Sequence, residues 1–226
     1  MFAMVYRRTE KTARRLAQRH GAIIAAARQS AAEGGMAAVQ VAPVAARAGI
    51  AAGTVYRYFP SKTDLITALV AAVSEHEIGA LRRAAEAAPG PLSALAAAIA
   101  TFASRAMAQR RLAWAVIGEP VDAQADAVRL VYRQALAAEF QTRIERAIRG
   151  GLLPAQDAHL SAAAAVGALL ESLIGPLASA SAEGELEPVQ ALTLYVLRAL
   201  GISDARARGL VVSRTTGDAG QTTEAG

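Results

Sequence analysis

Gln40-Val-Ala-Pro-Val-Ala-Ala-Arg-Ala-Gly-Ile-Ala-Ala-Gly-Thr-Val-Tyr-Arg-Tyr-Phe-Pro-Ser-Lys62 predicts two short helices joined by a tight turn at Gly49. Phe59-Pro60 stops the second, because the residue before a proline is pushed out of the helical region. That second helix carries Thr54, Tyr56, Arg57 and Tyr58, hydroxyl and cationic groups that no apolar core requires. A helix-turn-helix offers its second helix to the DNA major groove in this way.

Working outward, Ser61 is a candidate N-cap for a long following helix, with Asp64 placed to complete a capping box. Upstream, Ile23, Ile24, Ala27 and Ala31 share one face of a first helix expected over 17–33 and stopped by Gly34-Gly35. Residues 1–15 are basic without apolar periodicity and are expected to form a mobile arm. Downstream, Pro89-Gly90-Pro91, Pro120, Gly150-Gly151 and Pro154 divide helices over about 92–107, 110–117, 121–149 and 157–179. A ninth helix follows from Pro188 to about Leu200. In the seventh, Val128, Val131, Tyr132, Ala135, Leu136, Phe140, Ile144 and Ile148 suggest the apolar stripe, with Arg129, Arg133, Arg143 and Arg146 off it. Residues 217–226 are polar and glycine-rich, and a disordered tail is expected over 206–226.

Composition narrows the class. Of 226 residues 54% are hydrophobic, largely alanine, and 4% are aromatic, which favours helix over strand. There is no cysteine, so disulfides and thiolate chemistry are absent. No continuous apolar run reaches the length expected of a membrane helix, and the first ten residues lack a signal-peptide core. A cytoplasmic protein without membrane contact is the expectation. Residues 1–62 hold ten basic and two acidic residues, net +8, against −3 for the remainder. A basic end on a near-neutral chain suits a polyanion partner.

Ala48-Gly49-Ile50-Ala51-Ala52-Gly53-Thr54-Val55-Tyr56-Arg57-Tyr58-Phe59-Pro60-Ser61-Lys62 closely resembles the TetR family of bacterial transcriptional regulators, and the likeness extends over about residues 18–70. The resemblance implies an all-α protein with three expected parts. Residues 1–62 form a basic arm and a three-helix DNA-binding domain. Residues 63–205 form a connecting helix and a bundle for effector binding and dimerisation. Residues 206–226 form a tail. It implies double-stranded operator DNA, a second copy of the chain and a small hydrophobic or amphipathic effector as partners, with no cofactor. Thr54 and Tyr56 then resemble the family's phosphate-contacting pair. Gln40 and Lys62 add phosphate contacts, Gly53 admits close backbone approach, Arg57 reads a guanine and Ala52 meets a thymine methyl. Tyr58 is open between DNA contact and packing. The usual threonine and acidic residue at the start of the second helix are replaced here by Gln40 and Pro43.

Phe102, Met107, Trp114, Tyr132, Leu136 and Phe140 are the candidate effector liners, with ordinary packing as the alternative. Ala164, Ala168, Gly175, Leu192 and Val196 are the candidate dimer contacts, with monomer core as the alternative. Three scattered histidines, and the absence of a nucleophile elbow, zincin, phosphate-loop or dinucleotide motif, argue against an enzyme. A helical enzyme and a membrane-surface or scaffold protein with a basic arm are the rival classes.

Overall fold

The computed structural model describes residues 2–178 and 186–221. Among them lie ten helices and no strand: α1 Phe2–Ala38, α2 Val41–Arg47, α3 Ala52–Tyr58, α4 Lys62–Glu86, α5 Pro91–Ala108, α6 Arg110–Ile117, α7 Ala123–Arg149, α8 Ala158–Ala178, α9 Leu186–Ala199 and α10 Asp204–Gln221.

Local chemistry accounts for the boundaries. Asp64 N–H donates to Ser61 Oγ at 3.0 Å and Ser61 N–H donates to Asp64 Oδ2 at 2.9 Å, the reciprocal capping box expected for α4. Pro91 opens α5, where its missing N–H leaves no helical acceptor unfilled. Asp122 caps α7 by accepting from Ala125 N–H at 3.0 Å.

Two apolar cores result. The first gathers Ile23, Ala27, Val44, Val55, Phe59, Leu65 and Leu69 of α1–α4, and also Leu112, Ala115 and Val116 of α6 and Ala125 of α7. The second gathers the end of α4 with α5, α7, α8, α9 and Ala207 of α10. Helix α4 therefore belongs to both, its first half packed with the helix-turn-helix and its second with the bundle. The expected boundary after residue 62 marks where α4 begins, while the first core reaches beyond it into α6.

Several expectations are corrected. The basic arm is helical from Phe2, continuous with α1. Alanine, arginine, leucine and glutamine fill it without glycine or proline before Gly21, and a helix already packed at one end propagates without a new nucleus. Helix α1 is not ended outright by Gly34-Gly35 but kinks at Gly35, whose φ of 72° is left-handed, and resumes to Ala38. The segment expected to be a disordered tail carries α10 through Gln221. Ala207, Leu210 and Val211 fall at helical spacing and meet the second core, and Asp204 pairs with Arg208 at 2.8 Å. Ser179 and residues 222–226 of the expected elements lie outside the described residues.

The α7 stripe is rotated from the expected one. Its buried residues are Ala125, Arg129, Leu136, Phe140, Arg143, Ile144 and Ala147, while Val131 is exposed. Arg129 and Arg143, expected off the stripe, lie on it. Two helices are also long and apolar enough by composition to cross a membrane, over 91–108 and 158–175, because interspersed alanine extends the apolar run that larger side chains alone do not make. Half of the first is buried in this fold, but only 28% of the second, so α8 shows an apolar face that the other described residues leave uncovered.

Candidate nucleic-acid interface and adjoining cavity

The turn between α2 and α3 is closed by backbone alone. Gly49, at φ 67°, donates to Ala46 O at 3.1 Å, and Ile50 N–H donates to Ala45 O at 3.0 Å. These are the paired bonds of a Schellman motif, which needs a left-handed residue where glycine stands. The turn sets α3 so that Val55 is wholly buried and Phe59 nearly so, while Tyr56 and Arg57 face solvent and Thr54 is half-exposed. Gly53 is exposed, and a Cβ built on it would meet nothing within 4 Å. The protomer itself therefore imposes no need for glycine there; an approaching surface would.

The other candidates are placed less uniformly. Ala52 is half-buried beside the first core. The Tyr58 ring lies 6.4 Å from that of His20, which in turn sits 5.1 Å from Phe59, so Tyr58 packs against α1 while remaining half-exposed. Gln40 does not cap α2: its Nε2 donates back to Ala37 O, at the end of α1, at 2.9 Å. Lys62 is exposed at the start of α4. The first turn of α4 already holds a carboxylate, Asp64, bonded to Ser61. The Ser61 hydrogen bonds hold the Asp64 carboxyl below its ordinary range, outweighing burial, with Gln124 adding to the effect. Anion attraction at that end thus falls to the Lys62 side chain.

Polar ties bind this unit to the helices behind it. Arg47 pairs with Glu33 at 2.6 Å between α2 and α1. Glu119, after α6, accepts from Met36 N–H at 2.7 Å and pairs with Arg111 at 2.6 Å. Thr63 donates to Asp122 at 3.1 Å.

A cavity of about 90 Å³ lies where the two cores meet. Of the candidate liners, Phe102, Tyr132 and Leu136 line it. Met107 instead borders a second, more open pocket of about 320 Å³ with Leu173, Leu192 and Tyr195. Phe140 is buried in the second core, and Trp114 packs at that core's margin. Sequence reasoning missed the polar liners Ser74, Glu77, Arg105, Gln109, Arg129 and Arg133. The signal that could have found the last two is phase, since positions 129, 132, 133 and 136 share one face of a helix. Tyr132 also donates to Glu75 at 2.6 Å; burial first and this bond second push its phenol up to about 12.

Of the dimer candidates, Ala164 and Gly175 are exposed and Ala168 half-exposed, whereas Leu192 and Val196 are buried within the protomer. Large exposed apolar groups on the same two helices are Leu160 and Tyr195.

A short helix with exposed hydroxyl and cationic groups, set by a glycine turn on a basic end, is what the sequence comparison then matches. Residues 23–69 match the family described as "Bacterial regulatory proteins, tetR family". Over these residues the chain resembles the DNA-binding domain of the TetR family. Its fold agrees with solved structures of comparable length. RolR in complex with resorcinol is 22% identical, with 88% of this chain and 95% of that one aligned and a TM-score of 0.66. FadR of Bacillus halodurans is 20% identical over 82% and 97%, with a TM-score of 0.71. FadR of Bacillus subtilis in complex with stearoyl-CoA is 22% identical over 82% and 98%, with a TM-score of 0.66. No curated protein matches. The match covers the helix-turn-helix and the start of α4, and the likeness to the solved structures extends the agreement in fold to the helical bundle.

Proposed function

We propose that this chain is a TetR-family transcription regulator that binds a palindromic operator as a homodimer and is released from it by a small hydrophobic or amphipathic effector, acting as a repressor. Thr54, Tyr56, Lys62 and Gln40 contact phosphate, with Tyr58 at their edge. Arg57 reads a base edge, Gly53 admits close approach and Ala52 meets a thymine methyl. The arginine-rich start of α1 adds non-specific charge. The effector enters the cavity lined by Phe102, Tyr132 and Leu136. Met107, Trp114 and Phe140 support its walls from behind.

The observation that carries this reading is α4. It starts at Lys62, beside α3, and reaches the cavity at Val73 and Ser74, about 16 Å along its axis. One rigid helix therefore touches both places. A ligand that fits better with α4 displaced shifts the population away from the spacing that places two α3 helices in successive grooves, about 34–36 Å apart. The resorcinol of RolR and the stearoyl-CoA of FadR from B. subtilis support a ligand-responsive member of the family.

The two-fold contact is the exposed small-residue face of α8, with Ala164, Ala168 and Gly175, flanked by Leu160 and by Tyr195 of α9. Leu192 and Val196 stiffen it from within. An isologous contact of this kind buries the apolar face that one protomer leaves open. The proposed division is a DNA-binding unit over 1–62 and a connecting, effector-binding and dimerisation unit over 63–205, with α10 as its C-terminal brace.

Operator selection from genomic fragments, followed by titration and mass measurement in solution, tests the reading. A dimer with a preferred palindrome is expected. A monomer indifferent to sequence at low salt would overturn it.

A further inference from the structure

Resting on the reading of the cavity as an effector site, we propose that the effector is an amphipathic anion. Its charged head lies at Arg129 and Arg133 of α7, and its apolar body runs along Val73, Ile78, Phe102 and Leu136. One wall of the cavity holds a buried charge with a weak partner. Arg129 is only 9% exposed. Its Nη2 donates to Ala115 O at 2.8 Å, and its Nη1 reaches Asp126 at 3.3 Å, a carboxylate that is itself 69% exposed. Its Nε is closed to solvent and has no hydrogen-bond partner. A guanidinium cannot escape burial by losing its proton, so the charge stays where desolvation is costly.

The rest of the lining does not neutralise it. Arg105 is held bidentately by Glu77 at 2.5 and 2.9 Å, so those two charges cancel. Arg133 lies one turn beyond Arg129, lines the same cavity and makes no ion pair among the described residues. Like charges four residues apart on a helix repel. The cavity wall thus carries two positive charges, one with only the long contact to the exposed Asp126 as counterion and one with none among the described residues, on a surface otherwise built of Val73, Ile78, Phe102, Leu112, Val116 and Leu136. A buried cation lacking a good partner weakens a fold relative to an apolar side chain of similar volume. An anion supplied from outside would complete the pair, and the planar fork of arginine suits a carboxylate or a phosphate ester.

Size adds a requirement. At about 90 Å³ the cavity is smaller than the roughly 300–1,000 Å³ of typical ligand pockets, so an apolar body of several carbons must part the walls. Tyr132 and Glu75 join α7 to α4 beside this cavity, so entry of such a body strains the helix that carries the DNA-binding unit.

Calorimetry and thermal melting on the full chain, without DNA, test this with octanoate, octyl phosphate and the uncharged octanamide. At least one anion is expected to bind ten-fold or more tightly than octanamide and to raise Tm. The tighter of the two anions identifies the head as carboxylate or phosphate. Arg133→Gln, at an exposed position, should bring the anion's affinity to that of octanamide and leave octanamide unchanged. Arg129→Met should melt at or above the parent temperature without anion and lose the anion-dependent rise. The proposal is overturned if octanamide binds as tightly as both anions, if neither anion binds, or if Arg133→Gln keeps the full preference. Should Arg129→Met fail to fold, the Arg133→Gln result decides. A chain that binds the anion but no operator overturns the regulator reading alone; one that binds operator but no anion overturns this inference alone.

Discussion

Arg28 of α1 donates from Nη2 to Gln109 Oε1 at 2.5 Å, and Gln109 is also a wall of the cavity. The two residues are 81 positions apart in the chain, so the bond joins the DNA-binding unit to the cavity by a route separate from α4. A ligand that claims the Gln109 amide must loosen α1. Gln109→Ala is therefore expected to cost about 1 kcal/mol of stability and to reduce the coupling between effector and operator, normally about 1–3 kcal/mol. Operator titrations with and without effector measure that coupling. An unchanged ratio would take this bond out of the coupling.

The face of α3 separates two kinds of contact. Tyr56→Phe and Lys62→Ala should weaken binding to every sequence alike, and Lys62→Ala should reduce the salt slope by about one. Arg57→Ala should cost about 1–3 kcal/mol on the preferred operator and relax choice at one base pair. Titrations at two salt concentrations on operator variants resolve the two patterns. Equal loss on all sequences for Arg57→Ala would make it a phosphate contact.

The helix-turn-helix was legible because its signals are local. Gly49, Ser61-Asp64 and the alternation of Val55 and Phe59 with polar neighbours each depend on a few adjacent residues. The cavity was only half legible. Phe102, Tyr132 and Leu136 stand out by hydrophobicity, but Arg129 and Arg143 are buried cations, and a reading that sorts residues by polarity places them outside. Helix α10 escaped for the same reason, its three anchoring residues being diluted by polar ones. Leu192 and Val196 were assigned to a subunit contact because sequence shows apolar surplus, and only packing decides which surface consumes it.

Gly35 and Gly53 make a contrasting pair. Gly35 is left-handed, and a Cβ there would clash with the Arg111 guanidinium and the Glu119 carboxylate, an ion pair whose Glu119 Oε2 also accepts the Met36 N–H. Gly35→Ala should destabilise by about 1–3 kcal/mol and weaken DNA binding only through misfolding. Gly53→Ala has free space and favours helix, so stability should hold or rise by up to about 1 kcal/mol while operator affinity falls. Denaturant unfolding and operator titration on both variants check this. If Gly53→Ala binds normally, no surface approaches that backbone.

Glu139 of α7 holds two arginines. Arg82 of α4 donates to it from both Nε, at 3.0 Å, and Nη2, and Arg143 pairs with it at 2.8 Å. Burial alone would raise its carboxyl, but the hydrogen bonds from Arg82 and Arg143 outweigh that and leave it below the ordinary 4.5. A carboxyl with a lowered folded pKa stabilises above its unfolded value, and that contribution is lost as pH falls through the folded one. The clasp between α4 and α7 should thus hold at neutral pH and open in acid, as the pH falls through that lowered folded value. Glu139→Gln should remove that acid dependence and cost about 1–3 kcal/mol at pH 7, because Arg143 is buried and keeps its charge. Unfolding curves at pH 7 and across the acid range separate the two effects. A variant with parent stability at pH 7 would show that Arg82 and Arg143 do not depend on this carboxylate.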